Sequence, residues 1–108
     1  MFTASPRDPL EGLEGFDWDA ANADKLWRRH RVTFLEVEEA FRNRPLLVAG
    51  DLRHSHQEER FQALGRTEAS RFLFLVFTLR GSRIRVLSAR PMNRKERTLY
   101  AEAKEKDA

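Results

Sequence analysis

The sequence predicts an α+β domain: two N-terminal helices, a curled antiparallel sheet of three to four strands, and a C-terminal helix. Three observations predict it. Apolar residues between Asp19 and Arg42 recur at helical spacing. From Leu46 the pattern changes to period two, with Gly81-Ser82 placed like the tip of a hairpin. Asn93, with Glu96 three residues on, then opens a final helical stretch. A chain of 108 residues holds one core of ordinary size.

Taken in order, residues 1–15 contain Pro6, Pro9, Gly12 and Gly15 and read as a flexible N-terminal extension ahead of a single domain over 16–104. Phe16-Asp17-Trp18 reads as a short edge strand. Asp19 is the N-cap of a first helix whose stripe is Ala23, Leu26, Trp27 and His30, ending near Arg31. A second helix opens with a capping box, Thr33 with Glu36, and a hydrophobic staple, Val32 with Val37. Its buried stripe is Phe34, Val37, Ala40 and Phe41, and Asn43-Arg44-Pro45 ends it. Strands are expected over Leu46–Ala49, Glu58–Arg66, Phe72–Leu79 and Ser82–Ala89. The third of these is apolar on both faces, as a central strand would be. The last helix turns Leu99, Tyr100 and Ala103 inward, and residues 105–108 form a frayed tail. The helices are expected on one face of the sheet, with the other face free.

No cysteine is present, which excludes disulfides and Cys-ligated zinc. The longest apolar run, Phe72–Leu79, is far too short to span a bilayer. The first residues lack the basic and apolar regions of a secretory signal, so the expected compartment is cytoplasmic. The net charge is only +3, yet the basic residues are unevenly placed. Arg80, Arg83, Arg85, Arg90, Arg94, Lys95 and Arg97 stand together with one acid, Glu96, among them. Such clustering points to an anionic polymer as partner.

A type II′ turn at Gly81-Ser82 pairs Arg80 with Arg83, Thr78 with Arg85, and Val76 with Leu87. Alternation then places Arg80, Arg83 and Arg85 on one face, with Ile84 and Val86 on the other. Like charges facing one another destabilise a strand pair, a cost offset when phosphate binds there. Arg90 falls on the Ile84 side by simple alternation, so either a bulge re-aims it or a carboxylate satisfies it. A solvated edge hairpin is the bland alternative. Glu58 and Glu59 open a strand beside this face and read either as a general base or as ion-pair partners. His54 and His56 match no metal-ligand spacing, and no cofactor is implied.

Several short motifs follow one another in a set order. They are Phe16-Asp17-Trp18-Asp19, Arg29-His30, Val32-Thr33-Phe34, Glu58-Glu59-Arg60-Phe61 with Gly65, Thr78-Leu79-Arg80-Gly81 with Arg83-Ile84-Arg85, Ser88-Ala89-Arg90, and Arg94-Lys95-Glu96-Arg97 with Tyr100. In this the chain resembles the BrnT family of bacterial toxins over roughly residues 16–101. The resemblance implies a fold similar to RelE-type ribonucleases, an RNA substrate and inhibition of translation. It also implies an antitoxin of the BrnA type, a ribbon-helix-helix protein through which the complex reaches operator DNA. Residues matching the family pattern are His30, Glu58, Glu59, Arg60, Arg80, Arg83, Arg85, Arg90, Arg94 and Tyr100.

Three departures stand out. Arg31 occupies a position where the family usually has Gly, Asn22 lies where it often has a basic residue, and 1–15 has no counterpart.

RNA cleavage without metal needs a base for the 2′-OH, cations for the phosphorane-like transition state, and an acid for the leaving 5′ oxygen. The candidates are Glu58 or Glu59, with His54 behind them, as base; Arg80 and Arg85, with Arg60, Arg83, Arg90 and Arg94, on phosphate; and Tyr100 or His30 as acid. The alternative is a nucleic-acid-binding or antitoxin-binding module without catalysis.

Overall fold

In a computed structural model the described residues are 2–4, 12–51 and 58–107. The elements, in order, are β1 (Thr3–Ala4), β2 (Gly15–Phe16), α1 (Ala20–His30), α2 (Phe34–Arg42), β3 (Leu47–Gly50), β4 (Arg60–Arg66), β5 (Phe72–Arg80), β6 (Arg83–Pro91) and α3 (Arg94–Asp107). They form a six-stranded mixed sheet in the order β1-β3-β4-β5-β6-β2. The α+β class is as expected, and the strand count is higher. Two short strands from the first sixteen residues account for the difference. Thr3–Ala4 pairs antiparallel with β3, and Gly15–Phe16 pairs parallel with β6. These pairings put Thr3, Ala4 and Gly15 in the sheet. Helix α3 runs to Asp107.

Helix starts follow local chemistry. Asp19 Oδ1 accepts the Asn22 N–H at 2.7 Å and caps α1. Thr33 Oγ1 accepts the Glu36 N–H at 3.1 Å while Glu36 Oε1 accepts the Thr33 N–H at 3.0 Å, completing the capping box of α2. Asn93 and Glu96 repeat that exchange at α3, at 2.8 and 2.9 Å. Helix α1 ends on Arg31, whose backbone is left-handed at φ 54° and ψ 42°. A Cβ there costs about 1–2 kcal/mol, which is why glycine suits this position. Arg71 offsets the strain. Its guanidinium donates to the carbonyls of Arg31 at 2.7 Å and His30 at 3.0 Å, and to the Glu36 carboxylate at 3.2 Å. One side chain thus closes the C-terminus of α1 and ties it to the start of α2.

The expected single-sided packing does not hold. Leu26, Val37, Phe41, Ala63, Leu75, Ile84 and Val86 form the core between the sheet and α1/α2. Leu47, Leu64, Met92 and Tyr100 form a second core on the opposite face, with Phe72, Phe74 and Ala103 packed against it. Helix α3 covers that face near one end of the sheet. The physical reason lies in β4 and β5: Leu64, Phe72 and Phe74 all point away from α1/α2, and an apolar surface of that size needs cover.

Candidate functional site: the hairpin end of the sheet

The β5–β6 hairpin has the register expected at its tip. Arg80 faces Arg83, and Thr78 faces Arg85. Gly81 takes φ +61°, which its missing Cβ permits, and nothing lies within 4 Å of where a Cβ would sit. Farther along, Val76 pairs with Ser88 and not with Leu87, because a bulge intervenes between Val76 and Phe77 on one strand and their β6 partners. The bulge inverts the alternation. Ile84, Val86 and Ala89 all enter the α1/α2 core, while Arg83, Arg85, Ser88 and Arg90 share the α3 face.

Both possibilities held open for Arg90 are therefore realised. The bulge re-aims it, and Glu96 receives it at 2.8 and 3.0 Å. Its guanidinium also lies 4.1 Å from the Phe74 ring centroid. Burial tends to raise the Glu96 pKa, but hydrogen bonds from Arg90 and from the Asn93 N–H outweigh it and leave the carboxyl below its ordinary value.

The candidate residues divide into groups. At the hairpin end, Arg60, Thr78 and Arg85 form one cross-strand row, with Arg80 and Arg83 beyond it. Thr78 is buried at 1% exposure and donates to the Glu59 carbonyl at 2.6 Å, fixing the chain just before β4. Glu58 Oε1 lies 3.7 Å from Arg80 Nη2. Glu59 is exposed beside it. Arg83 is exposed, and no acidic partner among the described residues reaches it.

Arg85 differs from its neighbours. Its Nη2 donates to Asp19 Oδ2 at 2.7 Å, its Nη1 is 3.7 Å from Asp17 Oδ1, and its side chain is only 18% exposed. The Arg85 hydrogen bond, with the Asn22 N–H, holds the Asp19 carboxyl below the usual aspartate value. Arg85 thus locks β6 to the cap of α1, and it is not a free phosphate ligand. Sequence reasoning found Asp19 only as a helix cap. Its second role, and that of Asp17, depend on the parallel pairing of β2 with β6, which no local pattern announces.

Three candidates lie elsewhere. Tyr100 is 1% exposed, and its hydroxyl donates to the Pro45 carbonyl at 2.7 Å inside the second core. There it anchors α3 to the segment that leads into β3. His30 is the last residue of α1 on the other face, where its carbonyl is tied to Arg71 just ahead of β5. Nine residues of about 3.3 Å rise separate Arg71 from Arg80, so His30 lies roughly 25–30 Å from the hairpin tip and does not join it. Arg94 starts α3 at the far end of the same face as the arginine row. His54 and His56 lie outside the described residues, and no group of three metal-binding side chains occurs among the described ones. Asn22, where a basic residue was expected, is buried and donates to the Val86 carbonyl at 2.9 Å, closing part of the β6 edge.

An apolar cavity of about 90 Å³ opens on the α1/α2 side among Leu13, Phe41, Leu46, Val48, Phe61, Phe77 and Leu79. It has no polar side chain for chemistry. What remains for function is an open patch of sheet bounded by α3 on one side. It carries Arg80 and Arg83 at the rim, Arg60 within the row, and Glu58 within reach of Arg80. Such a patch can neutralise a phosphodiester and place a carboxylate beside it.

Comparison with curated proteins finds no match. Residues 18–96, well over half of the chain, match the family described as ribonuclease toxin, BrnT, of type II toxin-antitoxin systems. That span takes in the arginine row, Glu58 and the Arg90–Glu96 pair, and the chain belongs to the BrnT family of ribonuclease toxins.

Proposed function

We propose that the chain is an endoribonuclease toxin that cleaves RNA at the hairpin end without a metal ion and so halts translation. Arg80 and Arg83 bind the scissile phosphate and the charge that develops on it. Arg60 supports them from the adjacent row, and Glu58 takes the 2′-hydroxyl proton. The attacking 2′ oxygen displaces the 5′ oxygen, which takes up a proton from water and leaves as a 5′-hydroxyl, and a 2′,3′-cyclic phosphate remains. Glu59 is the second carboxylate at this corner. The observation that carries the reading is the convergence of Arg80, Arg83 and Glu58 on one open surface, with Glu58 Oε1 3.7 Å from Arg80 Nη2.

A fold related to RelE-type ribonucleases, a cytoplasmic site of action, and neutralisation by a BrnA-like ribbon-helix-helix antitoxin that carries the complex to operator DNA complete the proposal. No helix among the described residues is long and apolar enough to cross a membrane.

Purified protein incubated with structured RNA in EDTA tests the reading. Fragments ending in 2′,3′-cyclic phosphate are expected, and Glu58→Gln should slow their appearance. RNA that is retarded on a gel but stays intact would replace the nuclease with a binding module. His54→Ala assayed alongside determines whether the base step depends on that side chain.

A further inference from the structure

Three basic side chains take no part in the site just described. Arg94, Lys95 and Arg97 occupy the first turns of α3, are exposed, and have no ion pair with any described residue. The fold gives them no reason to be there. Cations in a first turn oppose the helix dipole. The turn's one acid, Glu96, is already engaged by Arg90 at 2.8 Å and by the cap. Helix α3 lies on the same side of the sheet as Arg80, Arg83 and Arg60, because its Tyr100 and Ala103 pack in the second core. Between the two basic ends lie Gln62, Val76 and Ser88, which form one partly buried, uncharged row. Of the acids flanking the patch, Glu58 faces Arg80, Asp17 and Asp19 hold Arg85, and Glu96 holds Arg90, while Glu59 is exposed and Glu14 accepts from the Ser82 hydroxyl.

We propose that this face is one continuous track for single-stranded RNA, running from the hairpin to Arg94, Lys95 and Arg97, which grip phosphates remote from the scissile bond. This rests on the nuclease reading and deepens it. Eight residue steps of β6 separate Arg83 from Pro91, about 26 Å at about 3.3 Å each. That exceeds a dinucleotide and suits the roughly 4–16 nucleotides that single-strand sites cover. Among the described residues no exposed aromatic ring lines the strip, so the RNA is held by its backbone and the grip is indifferent to sequence. A single strand is specified because in-line attack by the 2′ oxygen requires a nucleotide free to leave helical geometry.

The test compares anisotropy titrations of two 2′-O-methyl RNAs, an octanucleotide and a trinucleotide, which occupy the site without being cut. The intact protein should favour the octanucleotide strongly. In Arg94→Ala/Lys95→Ala/Arg97→Ala that preference should fall at least tenfold. Its salt dependence should flatten by about 2, at about 0.7 for each phosphate no longer neutralised. Alanine favours helix at exposed positions, so the variant retains α3. A preference and salt slope equal to those of the unaltered chain would overturn the track while leaving the nuclease intact. If the unaltered chain neither binds nor cuts RNA, track and nuclease fall together.

Discussion

Replacing Tyr100 with Phe removes one hydroxyl from a ring that is 1% exposed and otherwise keeps its place. The Pro45 carbonyl, which accepts that hydroxyl at 2.7 Å, loses its donor in the second core. The packing against Phe72, at 5.8 Å between ring centroids, survives because the ring is unchanged. Leaving a buried acceptor unmatched costs about 1–3 kcal/mol. For a domain of this size each kcal/mol moves Tm by about 4–8 °C, so Tm should fall by roughly 4–24 °C. The cleavage rate, measured in single turnover at a temperature where the variant is fully folded, should equal that of the parent. A general acid would behave in the opposite way, with little change in Tm and a rate loss of about 10²–10⁴. That outcome would refute the assignment of Tyr100 to the core and reopen the face beneath α3 as the catalytic surface.

Other consequences are as direct. Arg71→Ala should lower stability by about 1–2 kcal/mol, read from denaturant unfolding, since it removes donors from the α1 carbonyls and the partner of Glu36. The figure is kept low because the Arg71 side chain is about a third exposed. Gly65→Ala should destabilise by about 1–3 kcal/mol, because the added Cβ would meet the Ala40 carbonyl oxygen at 2.8 Å; an unchanged melt would contradict the close approach of α2 to β4. For Glu36, burial tends to raise the pKa but is outweighed by the Thr33 N–H and Arg71, and Glu96 is likewise lowered against burial by Arg90 and Asn93. A depressed folded value contributes stability above the ordinary glutamate value of 4.5, and that stability is lost as pH falls through the folded values. Acid unfolding should therefore be shallower in Glu36→Gln and Glu96→Gln, with the parent and variants converging at the acid end.

Most of the secondary structure was legible because its signals are local. Thr33 with Glu36, and Asn93 with Glu96, name the helix starts outright. Gly81-Ser82 set the hairpin register, so Arg80 opposite Arg83 followed from alternation alone. The register beyond Thr78 was not legible, since nothing in Leu87-Ser88 marks a bulge, and a single inserted residue reverses every side chain after it. The position of α3 had a visible signal. Phe72–Leu79 is apolar on both faces, which already demanded cover on both sides of β5. Tyr100 and His30 were plausible acids by residue type, but only long-range packing shows that one is enclosed and the other lies at the opposite end of the sheet. Arg85 illustrates the same limit, since its partners Asp17 and Asp19 are more than sixty residues away in sequence.

The most direct test is the single-turnover cleavage rate of Arg83→Ala, with EDTA present and folding checked by thermal melt. Arg83 is exposed and bears no internal ion pair with the described residues, so its loss should leave Tm unchanged. If phosphate docks between Arg80 and Arg83, the rate should fall by about 10²–10³, as expected for loss of one charge stabiliser. A variant that cuts RNA as fast as the parent would place the chemistry somewhere other than the hairpin end.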